Sequence, residues 1–394
     1  MTQKGFLVIS DITGYTAFLS ASELEHAEDI LTSLLNLLIE HTRSPLVIAK
    51  LEGDAVFSYA LTGSFHQGQT LMEAFETTYV AFRRAVELMM LNTTCSCNAC
   101  RNIPTLDLKF FVHYGSFVVQ SLGAYYELLG TDVNLLHRLL KNHITEETGF
   151  KAYAVYTQEA VEALGIQEIC ARLVSHVETY ANIGDIHIYV QDMHALWDRE
   201  RDRVRFVVTP EQAAFQAEHD FSIPAPLLWD YITKPEYRAI FMEAIGQKLD
   251  RDENARIGQG SVYYCAHENR VSEHTILDWQ PFEQYTTRET LPLPGGAFVY
   301  STYRLTPIEA GTRLTVSNSH VHGLPLVRGI GNFLMGRMLP GMVQRGIRAL
   351  QQRIQEDLAE GQAVLVSSVD VSKEEIDRVV KEGLSSEGHP GGLP

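Results

Sequence analysis

The chain has 394 residues, more than one hydrophobic core usually serves, so two domains are expected, each able to bury a substantial interior. Hydrophobic residues make up 45% of it and charged residues 21%, ordinary globular proportions that argue against bulk disorder. A net charge of −17 makes the surface repel polyanions, which disfavours sequence-independent binding to nucleic acid or anionic lipid and leaves room for a local basic nucleotide pocket.

No apolar run is long enough to cross a bilayer, and the opening MTQKGFLVISD meets an acid before a signal-like stretch is complete. A cytoplasmic protein is expected. Five cysteines, three of them in CSCNAC, do not form a secreted disulfide framework; reduced thiols or a metal site fit better.

Phe6 to Ile9 is an apolar run ending at Asp11, and the glycine of ITGYT turns the chain toward a helix. Leu24, Ile30, Leu31, Leu34, Leu35 and Leu38 recur at helical spacing up to Ser44-Pro45. LVIAK and AVFSYA then read as a hairpin about the tight LEGD turn, which sets Asp54 at the start of the returning strand. A second long helix, about 71–91, leads into the cysteine cluster. LDLKFFVHYG and SFVVQSLG read as another hairpin, and 132–142 as a helix. Strands mixed with hairpins and helices point to an α+β sheet rather than a doubly wound parallel one.

The first domain is placed at 1–192, followed by a charged connector at 193–213 (WDRERDRVR, with Pro210) expected to pack weakly. A second domain, 214–361, opens with the proline-led amphipathic helix IPAPLLWDYITKPEYRAIF. Strand-like runs follow near 247–252, 259–267, 272–280, 284–291, 297–306 and 312–321. It closes with a helix whose Val343, Ile347, Leu350, Ile354 and Leu358 form one apolar stripe. The tail 362–394, ending SSEGHPGGLP, is expected to be mobile.

Adjacent strands could bring Asp11 and Asp54 to one sheet edge, where two carboxylates attract a hard divalent cation that shares its oxygen ligands with substrate phosphates. The intervening ITGYT loop, Ile12 to Tyr15, offers backbone N–H groups to the same phosphates. Alternatively, either aspartate is a helix cap or turn residue.

SDITGYTAFLS, KLEGDAV and ELLGTDVNLLHRL, taken in order, resemble the successive signatures of class III adenylate and guanylate cyclases over about residues 5–190. The resemblance implies a ferredoxin-like cyclase sheet with covering helices, Mg²⁺ or Mn²⁺ at Asp11 and Asp54, and a purine nucleoside triphosphate as substrate. It makes Ile12 a carbonyl donor to the metal and Thr13, Gly14 and Tyr15 part of the phosphate loop. Lys50 matches the purine-reading lysine of adenylate cyclases, which favours ATP. Glu127 stands where those enzymes carry aspartate or threonine. Asn134 and Arg138 match the pair that holds the ribose and stabilises the transition state, and their spacing sets both on one helix face. The family's late phosphate-binding lysine would fall near YANIGDIHIY, which has no lysine or arginine. In the family the site is shared between two chains, so a homodimer is implied. The implied reaction is attack of the ribose 3′-oxygen on the α-phosphorus.

Cys95, Cys97 and Cys100 are close enough to share a soft ion such as Zn²⁺, with His113, a partner cysteine or water as fourth ligand; otherwise they form a reduced loop. His320 and His322 alternate in SHVHG and could bind metal or line a polar wall. The second domain's helix, strands and long closing helix resemble the START-like (polyketide cyclase and dehydrase-like, SRPBCC) superfamily, with a helix-grip fold. That implies an apolar small molecule or lipid as ligand. Trp229, Phe241, Tyr263, Trp279, Phe298 and Tyr303 are candidates for a cavity lining, or else for plain core. The glycine-punctuated LPLVRGIGNFLMGRMLPG could be an entrance to that cavity or a partner surface. A nucleotide cyclase tuned by a ligand is one reading. A non-catalytic nucleotide-binding or dimerisation platform coupled to a lipid-binding module is the other.

Overall fold

The structure is a computed structural model that describes residues 2–363 apart from 93, 94, 96, 123, 124, 182, 268, 269 and 294, together with 378. The expected mobile tail lies outside the described residues from 364 on, residue 378 apart. Two units emerge. Among the described residues up to 363, one holds the chain up to Thr62 and Leu71–Arg203; the other holds Gly63–Thr70 and the chain from Val204 to Ala363.

The strands of the first unit are β1 (Thr2–Thr13), β2 (Val47–Glu52), β3 (Ala55–Leu61), β4 (Asp107–Leu122), β5 (Tyr125–Leu129), β6 (Tyr153–Thr157), β7 (Val174–Tyr180) and β8 (Gly184–Asp192). They form one mixed sheet in the order β2-β3-β1-β4-β6-β8-β7, with β5 pairing β4 off this path. Only β4 and β6 run parallel among the named pairs. Its helices are α1 (Tyr15–Ser20), α2 (Leu24–Thr42), α3 (Gln69–Asn92, from Leu71 on), α4 (Asn98–Asn102), α5 (Thr131–Leu139), α6 (Ile144–Thr148), α7 (Gln158–Leu164), α8 (Gln167–Cys170) and α9 (Met193–Glu200).

Strand periodicity assigns the faces. Leu7, Ile9, Phe57, Phe111 and Val155 point to one side, where Val133, Leu136 and Leu139 of α5 cover them. On the other side Phe75 of α3 stacks on Phe110 of β4, ring centroids 4.8 Å apart.

The expected hairpin at 106–122 is one continuous 16-residue strand. Gly115, read as a turn, lies opposite Gly5 in the β1–β4 ladder. Its role is clearance: a Cβ there would lie 2.4 Å from Asp132 Oδ2, and Asp132 accepts a hydrogen bond from Ser116 N at 2.6 Å. The glycine thus lets the start of α5 close onto β4. The hairpin partner of β4 is β5, with Val118 opposite Leu129.

The second unit holds β9 (Ala213–Phe221), α10 (Ala225–Thr233), α11 (Pro235–Phe241), β10 (Gly246–Asp250), β11 (Val262–His267), β12 (Arg270–Gln280), β13 (Gln284–Thr290), β14 (Phe298–Ile308), β15 (Gly311–Ser319) and α12 (Pro325–Ala359). The six strand-like runs all appear, in an antiparallel sheet of order β10-β11-β12-β13-β14-β15-β9. β9 was not anticipated, although its exposure alternates residue by residue as a half-buried strand requires. The single helix expected at 223–241 is two, because Lys234 is extended before Pro235, as the proline's ring demands. In α12, Ile347, Leu350 and Ile354 enter the core and Val343 and Leu358 pack at its margin. Its glycines 329, 331 and 336 lie within the helix, not in a hinge loop.

The segment expected to pack weakly is pinned at both ends. α9 buries Met193, Leu196 and Trp197, spaced as one helix face. Beyond it, Phe206 N donates to Asp278 at 3.0 Å and Val208 N to Thr302 Oγ1 at 2.9 Å. The α+β expectation holds for both units. Among the described residues no helix is long and apolar enough to cross a membrane.

Candidate nucleotide and metal site

Asp11 sits near the end of β1, opposite Ala55 on β3 and Lys109 on β4. Asp54 closes the β2–β3 turn, and its carbonyl accepts from Ile12 N at 3.1 Å, which holds that turn against the end of β1. The two carboxyl groups act on each other. Burial, and then the Asp54 charge, push Asp11 up to about 7 against the opposing Lys109 ammonium. Burial raises Asp54 as well. Neither carboxyl has a side-chain ion pair among the described residues, and two half-buried acids without one are a costly arrangement unless a cation or protons compensate. Oxygen donors set side by side suit a hard divalent ion.

The loop after Asp11 is tightly held. Ile12 and Tyr15 are buried and Thr13 and Gly14 partly so. Gly14 has φ +87°, and a Cβ there would strike the Thr105 carbonyl at 2.7 Å, so the turn needs glycine on both counts.

Lys50 and Glu127, matched independently to base-reading positions, lie together: the ammonium is 3.5 Å from Glu127 Oε1 and 2.9 Å from Glu52. A bulge between Ile48 and Lys50 marks this stretch of β2. His137 on α5 reaches Glu52 at 2.9 Å through Nε2 and the Val133 carbonyl at 2.8 Å through Nδ1. With both ring nitrogens donating, the imidazolium is favoured; the Glu52 hydrogen bond raises His137 against its burial. This network ties β2 to α5, the helix that carries Asn134 and Arg138. Those two side chains are exposed and make no hydrogen bond or ion pair among the described residues, to the acidic pair or otherwise.

Sequence reading missed Lys109, a lysine on an otherwise apolar strand that faces Asp11 and also lies over the Tyr153 ring at 4.6 Å. Its signal was the lone base in LDLKFF. On β7, just before the stretch where the late lysine is expected, Glu178 is buried and bonded by His143 Nδ1 at 3.1 Å and His176 Nε2 at 3.0 Å.

His113, offered as a fourth ligand for the cysteines, is elsewhere. It is buried in β4 and bonds Thr157 Oγ1 at 2.9 Å, because its strand register turns it into the interior. The cysteines instead meet His26, at the start of α2.

In the second unit Trp229, Phe241, Tyr263, Trp279 and Tyr303 share one buried cluster. Trp229 and Trp279 meet edge to face at 4.7 Å, and Tyr303 stacks on Tyr285 at 4.6 Å. Phe298 does not join them. It stacks on His322 at 5.1 Å under the Arg288 guanidinium, since β14 carries it past the end of the cluster. His322 also meets the Tyr300 ring edge to face at 4.9 Å.

The same interior holds charges that no sequence pattern announced. Arg238 is fully buried, lies over the Tyr263 ring at 4.3 Å and donates to His274 Nδ1 at 3.1 Å. Glu289 accepts from Tyr303 at 2.8 Å and Thr287 at 2.7 Å. Burial would raise Glu289, but His274 and Arg238 hold it below its ordinary value. Among the described residues the Arg238 Nε has no hydrogen-bond partner.

Residues 212–355 match the sequence family described as polyketide cyclase / dehydrase and lipid transport. Residues 31–148 match a family described as a protein of unknown function, DUF2652. An uncharacterized protein of Mycobacterium tuberculosis is 32% identical over 114 residues, 29% of this chain and 52% of the relative. The chain thus spans about half the length of that curated relative. Among solved structures, a bacterial light-regulated adenylyl cyclase is similar over 50% of this chain and 98% of its own, at 13% identity and TM-score 0.36. The adenylyl cyclase CyaB from P. aeruginosa is similar over 49% and 95%, at 18% identity and TM-score 0.34. Protein MLL2253 from Mesorhizobium loti is similar over 36% and 96%, at 18% identity and TM-score 0.29. The C-terminal segment of the chain thus matches the polyketide cyclase / dehydrase and lipid transport family.

Proposed function

We propose that the first unit binds a purine nucleoside triphosphate with Mg²⁺ or Mn²⁺ and converts it to the cyclic nucleotide, ATP to cyclic AMP being favoured. The observation that carries this reading is the convergence of Asp11 and Asp54 from two strand ends, where burial first and then the Asp54 charge push Asp11 up to about 7. Their hard oxygen donors fit a divalent ion, which when bound would neutralise triphosphate charge and acidify the attacking 3′-hydroxyl. Lys109, opposite Asp11, adds positive charge where the phosphates would lie. Lys50 and Glu127 set a donor beside an acceptor, the combination needed to read a purine edge. Asn134 would hold the ribose, and Arg138 would answer the charge that builds on phosphate oxygens. Both are exposed and unbonded to the acidic pair within the chain, so this reading calls for a homodimer in which one copy's helix completes the other's site.

A second reading, a nucleotide-binding or dimerisation platform without turnover, is favoured by YANIGDIHIY, where a phosphate-binding lysine would serve catalysis and which has no lysine or arginine. For the second unit we propose an apolar small molecule or lipid as ligand. The family match, the aromatic interior and the incompletely bonded Arg238 support it, the arginine being suited to the ligand's polar end.

The test is the full-length chain with ATP or GTP and Mg²⁺ or Mn²⁺, with cyclic product read by mass spectrometry. Cyclic product that Arg138→Ala lowers in turnover more than in affinity supports the enzyme. Nucleotide binding with no product supports the platform. No metal-dependent nucleotide binding at all overturns both.

A further inference from the structure

We infer that His26, Cys95, Cys97 and Cys100 hold one Zn²⁺ ion in a closed, four-ligand structural site. The His26 Nδ1 atom lies 3.2 Å from Cys97 Sγ, 3.7 Å from Cys95 Sγ and 3.9 Å from Cys100 Sγ. All four ligand atoms lie within 4.8 Å of one another. Tetrahedral zinc, with sulfur at about 2.3 Å and nitrogen at about 2.0 Å, needs ligand separations of about 3.5–3.8 Å, so little movement is required.

Three thiolates and one imidazole are a soft, borderline donor set that selects zinc over magnesium or calcium. With four protein ligands no position is left open for substrate, which marks a structural site rather than a catalytic one. The surroundings also suit thiolates. Cys97 N donates to Cys95 Sγ and Cys100 N donates to Cys97 Sγ, both at 3.4 Å, and such N–H donors orient sulfur ligands and stabilise their charge. Cys97 caps α4, so the helix start itself supplies a donor. Nearby, Glu23 Oε2 accepts from Ala99 N at 3.0 Å, which fixes α4 beside the first turn of α2 before any metal is considered. None of the three cysteines is in a disulfide.

The placement gives the ion something to do. It would bind the start of α2 to α4. Directly after α4 comes the 3₁₀ turn Ile103–Thr105, and the Thr105 carbonyl is the group a side chain at Gly14 would strike. The zinc knot therefore buttresses the turn that follows Asp11. The zinc assignment stands on the four ligands alone and does not depend on any nucleotide reading.

The experiment is metal analysis of the full-length chain purified under reducing conditions from zinc-supplemented cells, with Co²⁺ exchange to read the ligand field. About one zinc per chain and tetrahedral cobalt–thiolate absorption are expected. Cys97→Ser should retain less than a tenth of the zinc, and Cys170→Ala, a buried cysteine outside the site, should retain all of it. His26→Cys should keep zinc while moving the cobalt bands toward a four-thiolate spectrum. If Cys97→Ser does not fold, chelator treatment of the unaltered chain takes its place: the melting midpoint should fall and be restored by Zn²⁺ but not Mg²⁺. Zinc-free protein that takes up no Co²⁺, or a cobalt spectrum unchanged in His26→Cys, would overturn the site. Zinc content and melting are read without nucleotide, so either result leaves the cyclase question separate.

Discussion

In the second unit Asp230 and Glu289 are enclosed among donors supplied by the fold, while in the first Asp11 and Asp54 share a sheet edge with little but Lys109 to oppose them. Asp230 accepts from His66 N at 2.7 Å, Gln67 N at 3.3 Å, Gln67 Nε2 at 3.4 Å and the Thr70 hydroxyl. Glu289 has Tyr303, Thr287 and the Arg238–His274 pair around it. Asp230 and Glu289 are buried and Asp11 and Asp54 half-buried, yet burial acts to raise all four carboxyls. The difference is who supplies the compensation. Where the chain's own groups answer a carboxylate, it serves the fold; where they do not, a ligand from outside is the natural complement.

The sharpest way to break this contrast is to remove the acids that lack partners. Asp11→Ala or Asp54→Ala should bring metal-dependent nucleotide binding below detection by calorimetry, while the melting midpoint stays level or rises, since a repelling buried charge is gone. Unchanged Mn²⁺–nucleotide affinity in both variants would sink the site.

Breaking the second unit's compensation should cost stability instead. Arg238→Met strands Glu289 in the interior and should destabilise by about 3–5 kcal/mol in urea melts, and adding Glu289→Gln should recover much of it. A lone Arg238→Met variant as stable as the parent would mean the arginine awaits a ligand rather than supporting the fold.

Asp230→Ala leaves its donors unsatisfied and should cost about 1–3 kcal/mol. A fragment beginning at Val204 lacks those donors altogether and should melt lower than the full chain. Burial pushes Asp230 up to about 6 from 3.8 despite its hydrogen bonds, which lower it, so the folded state holds a proton that the unfolded state releases. Stability should therefore decline as pH rises from about 4 to about 6 and level off above, a slope that Asp230→Asn removes.

The smallest effect belongs to His137. Its folded-state pKa is raised above the unfolded value, so its contribution is fully present below 6.5 and fades as pH rises through the folded pKa. His137→Gln should flatten that slight decline in thermal midpoint.

Much of the local structure around the candidate site was legible because its signals are local. Gly53 in LEGD marks a tight turn, the run before Asp11 reads as a buried strand, and Asn134 and Arg138 stand a helical turn apart. Turn chemistry and periodicity need only neighbouring residues to be read. The hairpin expected at Gly115 failed for the complementary reason: glycine signals either a turn or a close approach, and Asp132, which the glycine makes room for, is distant in sequence. Lys109 was passed over because one lysine in a strand says nothing of what stands across the ladder.

By itself the sequence determined the α+β class, the six strands from 246 to 319 and the apolar stripe of α12, since each follows from a repeating pattern of side chains. Only the tertiary structure decided that His26 meets the cysteines, that Gly63–Thr70 packs in the second unit to answer Asp230, and that Arg238 and Glu289 share an interior. Those outcomes depend on which distant segments are brought into contact, and the penalty for burying an unpaired polar group acts only once the chain has folded around it.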